Sequence, residues 1–314
     1  MVNLTVMGAG PVPTADYLDR LARTLSKKPT SRGWDCPLCQ HKNNPVDNLL
    51  VKLPAFKCSN PDIDCPGKCP ATPEWSINEC VVNGVRCDFV IRDQGPYPTC
   101  TAQALLHGMD AKLKVHGALY GKILLQQLNG SDLLAKYCEK VKSALGEEVD
   151  PAVRNARTPC LLQIAQSDGV EYIAPDGSLA TGRKLRISSW FYLKTDEINL
   201  LIRLIASGFP LLTSMTTGRC FTMTNEGEIY MSPQLTPNHA IVLIGFWVRP
   251  IWLPGEDGST KLVEKVLFKA RDSKGDRAHI SGQQSGTGGD IYLLAEDLPK
   301  YAFGFHLEPP SWMQ

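Results

Sequence analysis

The chain has 314 residues, 43% of them hydrophobic, with 33 basic against 32 acidic side chains and a formal charge of +1. That length and apolar fraction allow one large domain of two lobes, or a main domain with a small appendage. Near-balanced charge gives no bulk attraction to nucleic acid or to an anionic membrane surface, so neither is expected as a partner.

Met1 to Gly10 carry no basic leader and no sustained apolar run, and no later stretch has the length needed to cross a bilayer. A soluble, intracellular protein is expected. The first element is an amphipathic helix over 15–26, with Tyr17, Leu18, Leu21 and Leu25 on one side and Thr14 or Asp16 as its cap.

Eleven cysteines follow unevenly: seven lie from Cys36 to Cys87, and after Cys100 only Cys138, Cys160 and Cys220 remain. An odd total without a leader speaks against an all-disulfide framework. The run Trp34-Asp35-Cys36-Pro37-Leu38-Cys39 is a Cys-x-x-Cys knuckle, which sets two thiolates at tetrahedral angles for one metal ion. Cys58 is a third ligand candidate and Cys65 the fourth, although Cys65 stands seven positions beyond Cys58 and Cys69 lies further on. The opening resembles the start of small zinc-ribbon modules, and the second half departs from it. Structural zinc on Cys36, Cys39, Cys58 and Cys65, or a reduced or partly disulfide-bonded loop cluster, are both open. His41 is read as solvated. The expected boundary puts this extension at residues 1–72 and the main domain at 73–314.

From Pro73 short apolar runs alternate with a turn at Asn83-Gly84. The chain then reaches Arg92-Asp93-Gln94-Gly95-Pro96-Tyr97-Pro98-Thr99-Cys100. Gly95, Pro96 and Pro98 forbid a helix before the cysteine, while Ala102, Leu105, Leu106, Met109 and Leu113 repeat at helical spacing after it. Cys100 therefore opens a helix, where the positive end of the dipole favours the thiolate. The stretch from Leu128 to Arg157 is polar and poorly periodic, and Leu161 to Gln166 reads as a short helix ended by Asp168-Gly169. Beyond Ser188 the pattern turns to strands: Trp190–Leu193, then a helix capped by Asp196 with Ile198, Leu201, Ile202 and Ile205 inward, then strands at Leu211–Met215, Ala240–Val248, Leu262–Ala270 and, last, Ile291–Leu294. Helices first and strands afterwards predict an α+β protein of two lobes.

A cysteine nucleophile needs a base and a group that orients the base. His239 stands where a polar turn enters the most apolar strand, and Asp272 ends the next strand. If those strands pair, Asp272 can hold one ring nitrogen while the other faces Cys100. The side-chain amide of Gln94 can donate to an oxyanion beside the Cys100 backbone N–H.

Asp93-Gln94-Gly95, with Cys100 six positions after Gln94, resembles the active-site opening of the papain-like cysteine peptidases. Asn238-His239-Ala240 with its apolar strand resembles that family's histidine strand. Leu161 to Tyr172, Glu197 to Met215 and Gly288 to Tyr292 extend the likeness over roughly residues 73 to 296. The resemblance implies a helical lobe and a strand-rich, barrel-like lobe with a cleft between them. It implies Cys100 as nucleophile, His239 as general base and then acid, Gln94 as oxyanion donor and Asp272 as orienting residue. The reaction implied is hydrolysis of a protein or peptide substrate through a thioester, with no catalytic cofactor. Three departures stand out. Tyr97-Pro98-Thr99-Cys100-Thr101 replaces Cys-Gly-Ser-Cys-Trp, Asp272-Ser273-Lys274-Gly275 replaces Asn-Ser-Trp-Gly, and the cleft glycine pair has no counterpart. An active peptidase and a papain-fold protein that binds a partner but cleaves weakly or not at all are both compatible with that pattern. Oligomeric state has no signature in the sequence.

Overall fold

The computed structural model describes residues 9–25, 34–36, 38–43, 58, 60–63, 65, 74–124, 127–146, 150, 156–173, 179–218, 221, 224, 228–233, 236–254, 259–279 and 288–308. Among them are five helices: α1 (Ala15–Leu25), α2 (Cys100–Leu119), α3 (Gly130–Leu145), α4 (Thr158–Ser167) and α5 (Ile198–Ala206). Together with one eight-stranded sheet they make a mixed α+β protein. No described helix is long and apolar enough to cross a membrane.

The sheet runs in the order Ile229–Tyr230, Asp290–Leu294, Thr260–Arg271, His239–Pro254, Leu211–Met215, Tyr301–Leu307, Ile187–Lys194, with Glu74–Ser76 paired to the far part of His239–Pro254. Every pairing is antiparallel except Ile229–Tyr230 with Asp290–Leu294. Its two outermost strands are not paired with each other, so no closed barrel is found among the described residues. At Gly245 the register shifts by one residue, and a Cβ there would stand 2.6 Å from that of Ser76. Only glycine lets the short strand Glu74–Ser76 dock at that point.

Helix α2 lies at the centre, packed on the strand His239–Pro254. Sixteen of its twenty residues are buried, which is why its sequence is apolar on nearly every face. Three of the polar side chains it takes inside are held by hydrogen bonds or ion pairs. His107 accepts from the Arg92 N–H at 2.8 Å, Asp110 receives the Arg92 guanidinium at 2.6 Å, and the Lys112 ammonium donates to Gly208 O at 3.0 Å over the face of Phe209. Helix α1 joins the same core through Leu18, Ala22 and Leu25, and the Ser207 hydroxyl donates to Leu18 O at 2.7 Å.

Several expected elements differ. On α1, Ala22 takes the inward position and Tyr17 is 38% exposed, its ring resting edge-on against Phe209. The polar stretch after Leu128 contains α3, capped by the Asn129 side chain at the N–H groups of Ser131 and Asp132 and ended by Gly146 in the left-handed region. Its inward residues, Leu133 and Tyr137 with Leu134, Cys138 and Val141 beside them, form a stripe too narrow to read as periodic amid the charges. Glu197, not Asp196, is the N-cap of α5, and no side chain bonds there; the Asp196 carbonyl instead accepts from the Ile198 N–H. Ile291–Leu294 is not the last strand. Tyr301–Leu307 follows it and pairs with Ile187–Lys194, its alternation broken by Gly304 under the Phe191 ring.

Candidate active site

Antiparallel register brings the site together. Val242 faces Arg271 across the strand pair, so one further step sets Asp272 opposite Ile241, two residues from His239 on the same face of the sheet. The His239 Nε2 lies 2.6 Å from Asp272 Oδ1, and the second ring nitrogen is left for the cysteine side. Cys100 begins α2, which packs on this strand; its thiol is hydrogen-bonded to the His239 ring and receives the backbone N–H of Ala240. Cys100, His239 and Asp272 are 3%, 7% and 0% exposed.

A second pairing fastens the glutamine loop to the aspartate loop. Asp93 bridges Lys274, the Gln94 N–H donates to Ser273 O at 2.8 Å, and the Gly275 N–H donates to Arg92 O at 3.2 Å. Gly275 has φ +82°, and a Cβ there would meet the Asp93 side chain at 3.2 Å, so the close approach requires glycine twice over. The Gln94 amide is thereby oriented: the Ser273 hydroxyl donates to its Oε1 at 2.5 Å, and its nitrogen donates to Tyr97 O at 2.8 Å. A primary amide nitrogen carries two hydrogens, and the bond to Tyr97 O uses one of them.

Charge in this dry setting is distributed by hydrogen bonds. Burial pushes the Cys100 thiol up, but the hydrogen bond and charge of His239 outweigh it and hold the thiol below its ordinary value. For His239 burial acts downward, and the bonds to Asp272 and Cys100 reverse it, raising the ring to about 9. Asp272 is lowered: burial opposes its charge, yet hydrogen bonds from His239 and from a second histidine, His279, prevail. Thiolate and imidazolium are therefore favoured together.

His279 and Phe221 were not singled out from the sequence. The His279 Nε2 is 3.1 Å from Asp272 Oδ2, and the Phe221 ring stands edge-on to His239 at 5.4 Å and to His279 at 5.0 Å. Phe221 thus packs against both histidine rings that flank Asp272. A histidine seven residues after Asp272 in a glycine-flanked loop was the one signal available.

The four cysteines named from the sequence also converge. The sulfurs of Cys36, Cys39, Cys58 and Cys65 all lie within 4.8 Å of one another, with Cys36 to Cys65 at 3.6 Å and Cys39 to Cys58 at 3.5 Å. Such separations are far longer than a disulfide bond of about 2.05 Å. They are close to the edge of about 3.8 Å that follows from four sulfurs about 2.3 Å from one ion. The backbone N–H of His41 and the Asn60 amide, at 3.6 Å, donate to the Cys39 sulfur and bring its thiol down to about 6. No disulfide joins any of the nine described cysteines. Cys69 and Cys220 lie outside the described residues.

No protein-family model and no curated protein matches the chain. Among solved structures, the digestive procathepsin L2 proteinase of Tenebrio molitor larval midgut is 14% identical, over 78% of this chain and 70% of its own, with a TM-score of 0.50. Xylellain, a cysteine protease from Xylella fastidiosa, is 13% identical over 75% of this chain and 87% of its own, with a TM-score of 0.47. At such identities the likeness to the Tenebrio proteinase concerns the path of the backbone, and by that path the chain has the papain-like cysteine protease fold.

Proposed function

We propose that this protein is a cysteine-type peptidase, or a related amide hydrolase, acting on a protein or peptide through Cys100, His239, Asp272 and Gln94. The observation that carries the reading is the continuous line from the Cys100 thiol through the His239 ring to the Asp272 carboxylate, with Nε2 and Oδ1 2.6 Å apart. The helical lobe is led by α2, the strand-rich lobe carries His239 and Asp272, and the substrate cleft follows their junction. The Cys100 sulfur bonds to the scissile carbonyl carbon, and the oxyanion is held by the free hydrogen of the Gln94 amide and the Cys100 backbone N–H. Collapse breaks the C–N bond while His239 gives its proton to the departing amine. Water then loses a proton to His239 and attacks the thioester, and sulfur leaves as the thiolate.

Residues 1–72 are the extension and 73–314 the catalytic domain, with α1 of the extension docked on that domain. Cys36, Cys39, Cys58 and Cys65 would hold one structural zinc ion, whose contribution is to tie the two halves of the extension together. A second reading is a catalytically weak or inactive papain-fold protein that binds a peptide or protein partner. It is favoured by the Gln94 hydrogen already given to Tyr97 and by Thr101 standing where the family has tryptophan.

Alkylation with iodoacetamide or an epoxide across pH, with the modified cysteine mapped, separates these readings. Selective modification of Cys100 below about pH 6, lost in His239→Ala, is expected for the ion-paired nucleophile. Modification no faster than at Cys138 or Cys160 overturns the enzymatic reading.

A further inference from the structure

Asp272 is shared by two histidines, and the hydrogen-bond inventory around the second one is unusual. The His279 Nδ1 lies 2.8 Å from Thr224 O, and its Nε2 lies 3.1 Å from Asp272 Oδ2. A carbonyl oxygen can only accept, and Asp272 already accepts at Oδ1 from His239 and from the Ser273 N–H at 2.6 Å. A neutral imidazole has one N–H and one bare nitrogen, which would point a lone pair at one of two acceptors. Both contacts are satisfied only when both ring nitrogens carry a proton. The ring is 1% exposed, so water cannot mend a mismatch. Its backbone sits at φ +62°, in the left-handed region that histidine enters more readily than most side chains.

We propose that His279 is a positioning residue, a buried imidazolium that locks the rotation of the Asp272 carboxylate and offsets its charge. This rests on the proposed role of Asp272 as the residue that orients His239. Where the family places neutral asparagine, this chain has an acid with a cation behind it, and the pair presents His239 with an acceptor of reduced net charge. The titratable groups that face the pair are Cys100 from the start of α2, His239 from its strand, and His107 farther along α2, which burial together with Arg92 and Arg271 keeps neutral. Arg271 itself is turned to Asp290 at 2.7 Å, and Asp276 and Arg277 are exposed. Phe221, 3% exposed, seals both rings from water.

Protonation is read directly by nitrogen NMR of the wild-type protein labelled at histidine, with His279→Gln identifying the signal. The expected result is a His279 ring with two protonated nitrogens at pH 7.5. A single-tautomer neutral ring overturns the proposal, and this holds whether or not the protein proves to be an enzyme. The second measurement is the pH profile of Cys100 alkylation, which needs no substrate. In His279→Phe both limbs should move up by about one pH unit or more, because the uncompensated Asp272 charge acts on His239 and Cys100. The shift should vanish when His279→Phe is made in an Asp272→Asn background. An equal shift in both backgrounds, or lower yield of folded protein with an unmoved profile, assigns His279 a merely structural role. Uniformly slow Cys100 modification in the wild type sinks the hydrolase reading alone.

Discussion

The active-site region and the four-cysteine extension both gather side chains from distant parts of the chain, but by opposite means. Cys100, His239 and Asp272 are brought together by a twenty-residue buried helix and a strand pair twelve or more residues long, so the core makes the site. Around Cys36, Cys39, Cys58 and Cys65 the described secondary structure is one pair of two-residue strands, Trp34–Asp35 with Lys42–Asn43. There a zinc ion, if held as proposed, would tie the segments together in place of a core. One region should tolerate loss of its reacting groups without unfolding, and the other should not.

The largest effect is expected at the base. His239→Ala should cut the rate of Cys100 alkylation and of any peptide hydrolysis by on the order of 10³-fold or more, while thermal unfolding of the main domain is retained. Loss of cooperative unfolding in that variant would break the contrast. In the extension the order reverses: a chelator, or Cys58→Ser, should release one equivalent of zinc and expose 34–65 to proteolysis while Cys100 alkylation proceeds unchanged. Metal analysis and peptide mapping read that outcome, and a wild-type protein without zinc refutes the metal reading.

Acid should separate the two regions along one axis. Asp272 is depressed in the folded state, so its stabilising contribution is in full force above the ordinary carboxyl value of about 3.9 and is lost as pH falls through its lower folded value. His239 is raised to about 9, so its contribution is complete below about pH 6.5 and lost as pH rises through about 9. The His239–Asp272 pair is thus strongest between about pH 4 and 6.5. Thiolates holding the proposed ion would behave oppositely, since protons compete with a metal, and hydrogen bonds bring the Cys39 thiol down to about 6. Titration from pH 7 to 4 should release the metal first and leave the near-ultraviolet signal of the main domain in place. A single transition in which both are lost together would show that the extension and the main domain fold as one unit.

The same contrast explains how much was legible in the sequence. The helix behind Cys100, the apolar strand behind His239 and the Cys-x-x-Cys knuckle are local patterns, and each carries its chemistry in a few consecutive residues. Gln94 could be named because it stands six positions before Cys100. What escaped depends on contacts between remote segments. Phe221 lies 18 residues before His239 in a stretch with no periodicity, and its place is visible only from the two rings it touches. His279 is informative only once Asp272 Oδ2 and Thr224 O are known to flank it. Helix α3 was hidden because its inward stripe is interrupted by Lys136, Glu139 and Lys140; Lys136 itself bonds Asp132 and Gly169 O. The strand Tyr301–Leu307 was hidden by Gly304 and His306.

A finer distinction inside the site concerns Gln94 and Ser273. Removing the amide in Gln94→Ala takes a donor from the oxyanion, and a loss of about 10²-fold in kcat with KM little changed is expected, since that donor acts as charge develops. Ser273→Ala leaves the amide present but removes the hydroxyl that holds its Oε1 at 2.5 Å. The Gln94 N–H to Ser273 O bond and the bond to Tyr97 O persist, so the side chain keeps its approximate place and gains only rotational freedom. A neutral hydrogen bond contributes about 1 kcal/mol net, which corresponds to roughly a fivefold fall in kcat. Were Ser273→Ala as damaging as Gln94→Ala, the hydroxyl would itself be meeting the substrate. Were both without effect while Cys100 still alkylated rapidly, the oxyanion would be stabilised from α2 alone, and the loop pairing of Asp93 with Lys274 would serve to carry Asp272.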